Sequence, residues 1–203
     1  MKLLNVFLSA LVLFSVCLTV SSSAEEMSDS LLQAKQMEYM QLGQPGPEHA
    51  FLKKLTGSWD MHISYWMSPN TEPMVLKSSG ENKMILGGRF LELTSKGEFM
   101  GQTMETITMM GFDRRSKQYT STGFDSQGTY SVSAAGEINK DKTSIRMHGA
   151  DYDAFWDFTQ EYFFDITIKS ENEFTWSVTF TDEQMAQGQD EFKMVEIIYT
   201  RKK

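Results

Sequence analysis

The chain has 203 residues, 40% of them hydrophobic, with 27 acidic against 19 basic side chains and a net charge of −8. That length suits one domain with a substantial core, and the acidic balance argues against nucleic acid or an anionic membrane as partner, since both call for basic patches. A single cysteine, Cys17, excludes an internal disulfide framework.

Residues 1–24, MKLLNVFLSALVLFSVCLTVSSSA, carry Lys2, a mostly apolar run from Leu3 to Val20, and small residues at Ser22 and Ala24. This is the layout of a secretory signal peptide cleaved after Ala24. A run of about eighteen apolar residues can also span a bilayer. Here Asn5, Ser9 and Ser15 interrupt it, and no basic stop-transfer flank follows. The expectation is an exported protein, periplasmic or extracellular, with no stable membrane insertion after cleavage and no remaining thiol.

Residues 25–45 read as an N-terminal helix and turn. Ser28 or Asp29 offers an N-cap, Leu31, Leu32, Met37, Met40 and Leu42 recur at roughly helical intervals, and Gly43 ends the run. Pro45, Gly46 and Pro47 form a turn. A short helix from Pro47 to Leu55 follows, with Gly57 just past its end.

After Gly57 the period changes to two. Trp59, Met61, Ile63, Tyr65 and Met67 alternate with Ser58, Asp60, His62 and Ser64, and FTWSVTF (174–180) repeats the pattern. Turn sequences such as SPNTEP, LGG, FDRRSK, DSQG, NKDK and KSEN separate nine or ten such runs at intervals of roughly ten residues. With no long helix between them, these strands predict an all-β antiparallel meander over residues 46–203, whose edges are resolved by closure into one up-and-down barrel or by folding into two sheets. A barrel of about 8–10 strands encloses room for side chains or one small ligand.

PGPEHAFLKKLTGSWD, MILGGRFLELTSKGEFMGQTME and MGFDRRSKQYTSTGFDSQGT, in that order, resemble domain of unknown function 1579, a family of secreted and cytosolic bacterial proteins. The resemblance is strong from Pro45 to Thr129 and weaker beyond. It implies a calycin-like, lipocalin-like barrel and no established activity. In calycins the Gly-x-Trp tryptophan lies across the closed end, under a basic residue of the last strand. The resemblance therefore implies structural roles for Gly57, Trp59 and Arg201. The related nitrobindin-like barrels hold haem through a histidine on a late strand, but residues 157–203 contain none. Haem is accordingly not expected.

No residue pattern specifies a reaction. Nucleophilic catalysis needs a Ser, Thr or Cys beside a base, yet residues 25–203 lack cysteine and Gly-x-Ser-x-Gly and contain only His49, His62 and His148. His49 reads as a surface or capping residue, His62 as solvent-facing, and His148 as lying near a strand end. No metal-binding spacing occurs. Fifteen methionines suit copper(I) in principle, but they are scattered without a Met-x-Met repeat and read as core filler. Glu92, Glu98 and Glu105 read as surface partners of cross-strand cations. The expected function is the binding of a small, mostly apolar molecule, with Tyr65, Met104, Tyr119 and Trp176 as pocket residues and Arg89 as polar anchor, and with neither cofactor nor metal. The alternatives are a protein-interaction module with a filled core, or an enzyme using a carboxylate at the barrel mouth.

Overall fold

The computed structural model describes residues 29–203; the signal peptide expected over residues 1–24 lies outside the described residues. Residues 29–37 belong to one compact unit and residues 38–203 to another. Helix α1 (Asp29–Leu42) has no buried residue, so the apolar spacing read from its sequence does not correspond to a buried face.

The second unit is a closed barrel of ten antiparallel strands: β1 (Gly57–Tyr65), β2 (Met74–Ile85), β3 (Phe90–Phe99), β4 (Gln102–Asp113), β5 (Gln118–Asp125), β6 (Val132–Ile138), β7 (Ser144–Asp153), β8 (Phe158–Ser170), β9 (Glu173–Phe180) and β10 (Phe192–Arg201). Each strand pairs with its sequence neighbour, and β1 closes the ring on β10 through Trp59↔Arg201 and Met61↔Tyr199. Closure removes every free sheet edge. Helix α2 (His49–Lys54) precedes β1, and the short α3 (Glu183–Ala186) lies between β9 and β10.

The two ends of the barrel differ. At the end where β1 begins, α2 caps the interior with Phe51, Leu52 and the adjoining Leu55, all buried. Trp59 is 1% exposed; its Nε1 donates to the Leu55 carbonyl at 3.0 Å, and the Arg201 guanidinium lies 4.2 Å from the centre of its ring. Arg201 Nη1 also donates to the Thr56 carbonyl at 2.8 Å. Gly57 has φ +124, and a Cβ there would fall on Arg201 Nη1. Thus the Gly-x-Trp step supplies the backbone geometry and the empty volume that let the arginine cover the indole.

Packing is also unequal around the wall. The inward rows of β7 to β10 present Ile145, Met147, Phe164, Ile166, Phe174, Trp176 and Tyr199, all buried. The facing rows of β2 to β5 present Ser78 opposite Gly97, Gly80 opposite Ser95, Ser95 opposite Thr106, and Thr108 opposite Gly123. The same rows also carry Leu91, Leu93, Met110 and Tyr119, all buried, nearer the closed end. The small side chains therefore leave space only towards the open end of this half.

Candidate functional site

That space is an interior cavity of about 180 Å³. Met61, Leu93, Val132 and Trp176 form its apolar lining; Asn82, Ser95, Thr106, Thr108 and Asp125 contribute polar groups. The Ser95 and Thr106 hydroxyls bond to each other at 2.7 Å. Asn82 is 3% exposed and donates from Nδ2 to the Leu55 carbonyl at 2.9 Å. Its Oδ1 has no hydrogen-bond donor among the described residues.

The cavity reaches the open end of the barrel. Pairing of β5 with β6 stops at Gly123↔Val132, whereas β4 continues along β5 to Thr106↔Asp125. The wall parts beyond Gly123, and Asp125 stands at this lip. Its Oδ1 accepts from the Gln127 and Gly128 amides at 2.8 and 3.1 Å, which fixes the turn.

Charge sorts strongly between the two ends. The open-end segments 66–73, 98–101, 125–131, 151–157 and 181–191 carry Glu72, Glu98, Asp125, Asp151, Asp153, Asp157, Asp182, Glu183, Asp190 and Glu191, with no lysine or arginine. The closed end gathers Lys53, Lys54, Arg89, Arg114, Arg115, Lys117, Lys140, Lys142, Lys169, Arg201, Lys202 and Lys203 against Glu48, Asp113, Asp141, Glu171 and Glu173. A cleft lined with one sign of charge concentrates ligands of the other.

The sequence-predicted pocket residues do not form one pocket. Trp176 lines the interior cavity. Tyr65 lies at the open end with its ring edge-on to Phe99 at 5.7 Å, and burial raises its pKa. Met104 faces inward opposite Gly97, also towards the open end. Tyr119 is buried at the closed end, where its hydroxyl donates to the Glu48 carbonyl at 2.9 Å. Burial and the nearby Glu48 carboxylate push its phenol up to about 12.

Arg89 lies outside the interior, in the β2–β3 hairpin, donating to the Gly43 carbonyl, the Leu86 carbonyl and Gln44 Oε1 at 2.8, 3.2 and 2.9 Å. It tethers the turn after α1. His49, read from sequence as a surface or capping residue, is 4% exposed, with Nδ1 accepting from the Gly46 amide at 3.0 Å. Glu92 pairs with Lys83 at 2.9 Å and Glu105 with Lys96 at 2.7 Å on the outer face.

The residues that sequence reasoning missed are the hydroxyls. Thr106 and Thr108 face inward, while their neighbour Ile107 is exposed on the outside. A detectable signal existed: Ser95, Thr106 and the TST of 120–122 recur on strands that a meander makes adjacent.

The family model for Protein of unknown function (DUF1579) matches residues 44–201. The chain belongs to this family. No curated protein matches the chain. Among solved structures, the crystal structure of Rv2717c from M. tuberculosis is similar at 14% identity and TM-score 0.52, covering 79% of this chain and all of that one (100%). At that identity the likeness supports the fold alone. A redesigned β-barrel also aligns, at 10% identity and TM-score 0.39 over 75% of this chain and 95% of its own. The DUF1579 match takes in α2, the Gly-x-Trp step and all ten strands, so every residue of the cavity lies within it.

Proposed function

We propose that this DUF1579 protein is an exported binding protein that holds one small molecule in the open-end cavity, and that the ligand is neutral or cationic with a mostly apolar body. The observation that carries the reading is the cavity of about 180 Å³ that combines an apolar lining with the hydroxyls of Ser95, Thr106 and Thr108. A dry cavity of about 150 Å³ accommodates benzene, so the space suits a single-ring molecule. The hydroxyls and Asn82 Oδ1 provide donors and acceptors to orient one polar substituent. The acidic lip at Asp125 and the absence of lysine and arginine from the open-end segments disfavour an anion.

Titration with benzyl alcohol and benzylamine tests this directly. Both are expected to shift the amide resonances of Thr106, Thr108 and Trp176 at one site per chain. Thr106→Val keeps the shape of the side chain but removes the hydroxyl, and is expected to weaken benzyl alcohol binding by about tenfold. No shift at these amides with either probe would refute the reading.

A protein-interaction role has one specific observation in its favour. The β7–β8 tip exposes Phe155 at 83% and Trp156 at 53%, held in a turn by Asp153 Oδ1 at 2.8 and 3.0 Å from their amides. It does not explain the cavity.

A further inference from the structure

We propose that the closed end carries a second, independent binding site, and that it takes a small organic carboxylate with a planar apolar body. The site is a cleft of about 430 Å³ between the chain around Gly43 and the β2–β3 and β4–β5 hairpins, within the size range of small-molecule sites. Phe90, Phe112 and Tyr39 supply its aromatic walls; Arg89, Arg114 and His49 supply its polar groups.

The donors are held in place and incompletely used. Arg89 makes one hydrogen bond from each of Nε, Nη1 and Nη2, all to carbonyl or amide oxygens. Arg114 donates twice from Nη1, to the Gln41 and Gln44 carbonyls at 2.6 and 3.3 Å. A guanidinium has five N–H groups, so both retain donors, and neither forms an ion pair among the described residues. Carbonyl and amide oxygens fix the position of both, and Arg89 has no carboxylate paired with it among the described residues. By contrast, Arg115 is bound to Asp113 at 2.8 Å, and that bond holds the Asp113 carboxyl well down, to about 2. The other carboxylate in the neighbourhood is Glu48, whose Oε2 is buried without a hydrogen-bond partner and flanks the same Gly46 position as Arg114 Nε, so it answers part of the Arg114 charge and leaves Arg89 as the less compensated fork.

His49 is the second observation that points to a ligand. Its ring is almost wholly buried, and the Gly46 amide occupies Nδ1, so the tautomer places the hydrogen on Nε2. That N–H has no acceptor among the described residues, and the residue lines the cleft. Two charged forks and one imidazole donor flanked by aromatic rings match a carboxylate attached to a flat apolar group. An amide or alcohol of the same shape would leave the charge unanswered.

The test compares naphthoate with naphthamide, which share a shape and differ in charge, using the same chain. Naphthoate is expected to shift the amides of Gly43, Phe90, Phe112 and Thr120, and to bind at least about tenfold more tightly than naphthamide. Arg114→Gln is expected to weaken naphthoate by about tenfold. Because Arg114 also tethers the chain, Thr120→Trp provides a second variant; it fills the cleft without removing a tether and is expected to abolish binding. Thr106→Val is expected to leave naphthoate binding unchanged, which separates this site from the interior one. Equal affinity for the two probes, shifts confined to other parts of the chain, or full naphthoate binding by Thr120→Trp would each overturn the proposal.

Discussion

Trp59→Ala is expected to lower stability by about 4 kcal/mol, the scale for truncating a buried tryptophan in a core that relaxes only partly. The ring joins three parts of the closed end. Its edge meets Phe174 at 4.8 Å between centroids and Tyr199 at 6.4 Å. Its Nε1 satisfies the Leu55 carbonyl at the end of α2, and its face carries the Arg201 guanidinium. Alanine would remove all three contacts and open a cavity beneath the cap. Urea unfolding measures the loss as a lower midpoint at similar slope. A double-mutant cycle of Trp59→Leu with Arg201→Ala isolates the stacking, and a coupling of about 0.5 to 1 kcal/mol is expected. Arg201 keeps its bonds to the Glu171 and Thr56 carbonyls at 2.9 and 2.8 Å when the indole is gone, so strict additivity would show that the stacking itself contributes nothing.

Gly136→Ala should come next, at about 3 kcal/mol, the upper part of the range for overpacking. Gly136 on β6 lies between Tyr119 on β5 and Met147 on β7. A Cβ there would fall on the Arg146 carbonyl oxygen and lie 2.7 Å from Met147 Cα. Both are backbone atoms, so relief requires β6 and β7 to separate along a register of only Ala135↔His148 to Ile138↔Ile145. Gly123→Ala is the control. Its added methyl meets Thr108 Oγ1 and Val132 Cγ2 at 3.5 Å, an ordinary contact, and the expected change is about 0.5 kcal/mol or less. Equal losses in the two variants would mean that the cost lies in strand propensity rather than in the close approach.

Much of the fold is legible in the residues. Alternation from Trp59 to Tyr65 and from Phe174 to Phe180 locates strands and the turn sequences separate them, but the edges of such a meander can be paired by closure or by a second sheet, and the family resemblance is what favours the barrel. The inward direction was harder to read. A period of two shows that Thr106 and Thr108 share a face, but not which face. On β4 the usual expectation inverts, because Ile107 points outward opposite Phe124 while the hydroxyls line the cavity. The position of Arg89 depends on which end of the barrel α2 closes, a property of the assembled ring that local spacing does not encode. His49 reads as exposed for a similar reason: Phe112 of β4, far away in sequence, packs edge-on against its ring at 6.3 Å.

The polarity of the barrel links the sites. With the two proposed sites, an acidic mouth over the hydroxyl-lined cavity and a basic closed end over the aromatic cleft would give one small domain two opposite charge preferences. Native mass spectrometry of the protein purified from its own host, followed by extraction and identification of whatever is released, tests the central claim most directly. The expected result is a single-ring-sized molecule, neutral or cationic, present at one per chain and displaced by benzyl alcohol. A protein of bare mass whose Thr106 and Thr108 amides also fail to respond to benzyl alcohol and benzylamine would contradict it.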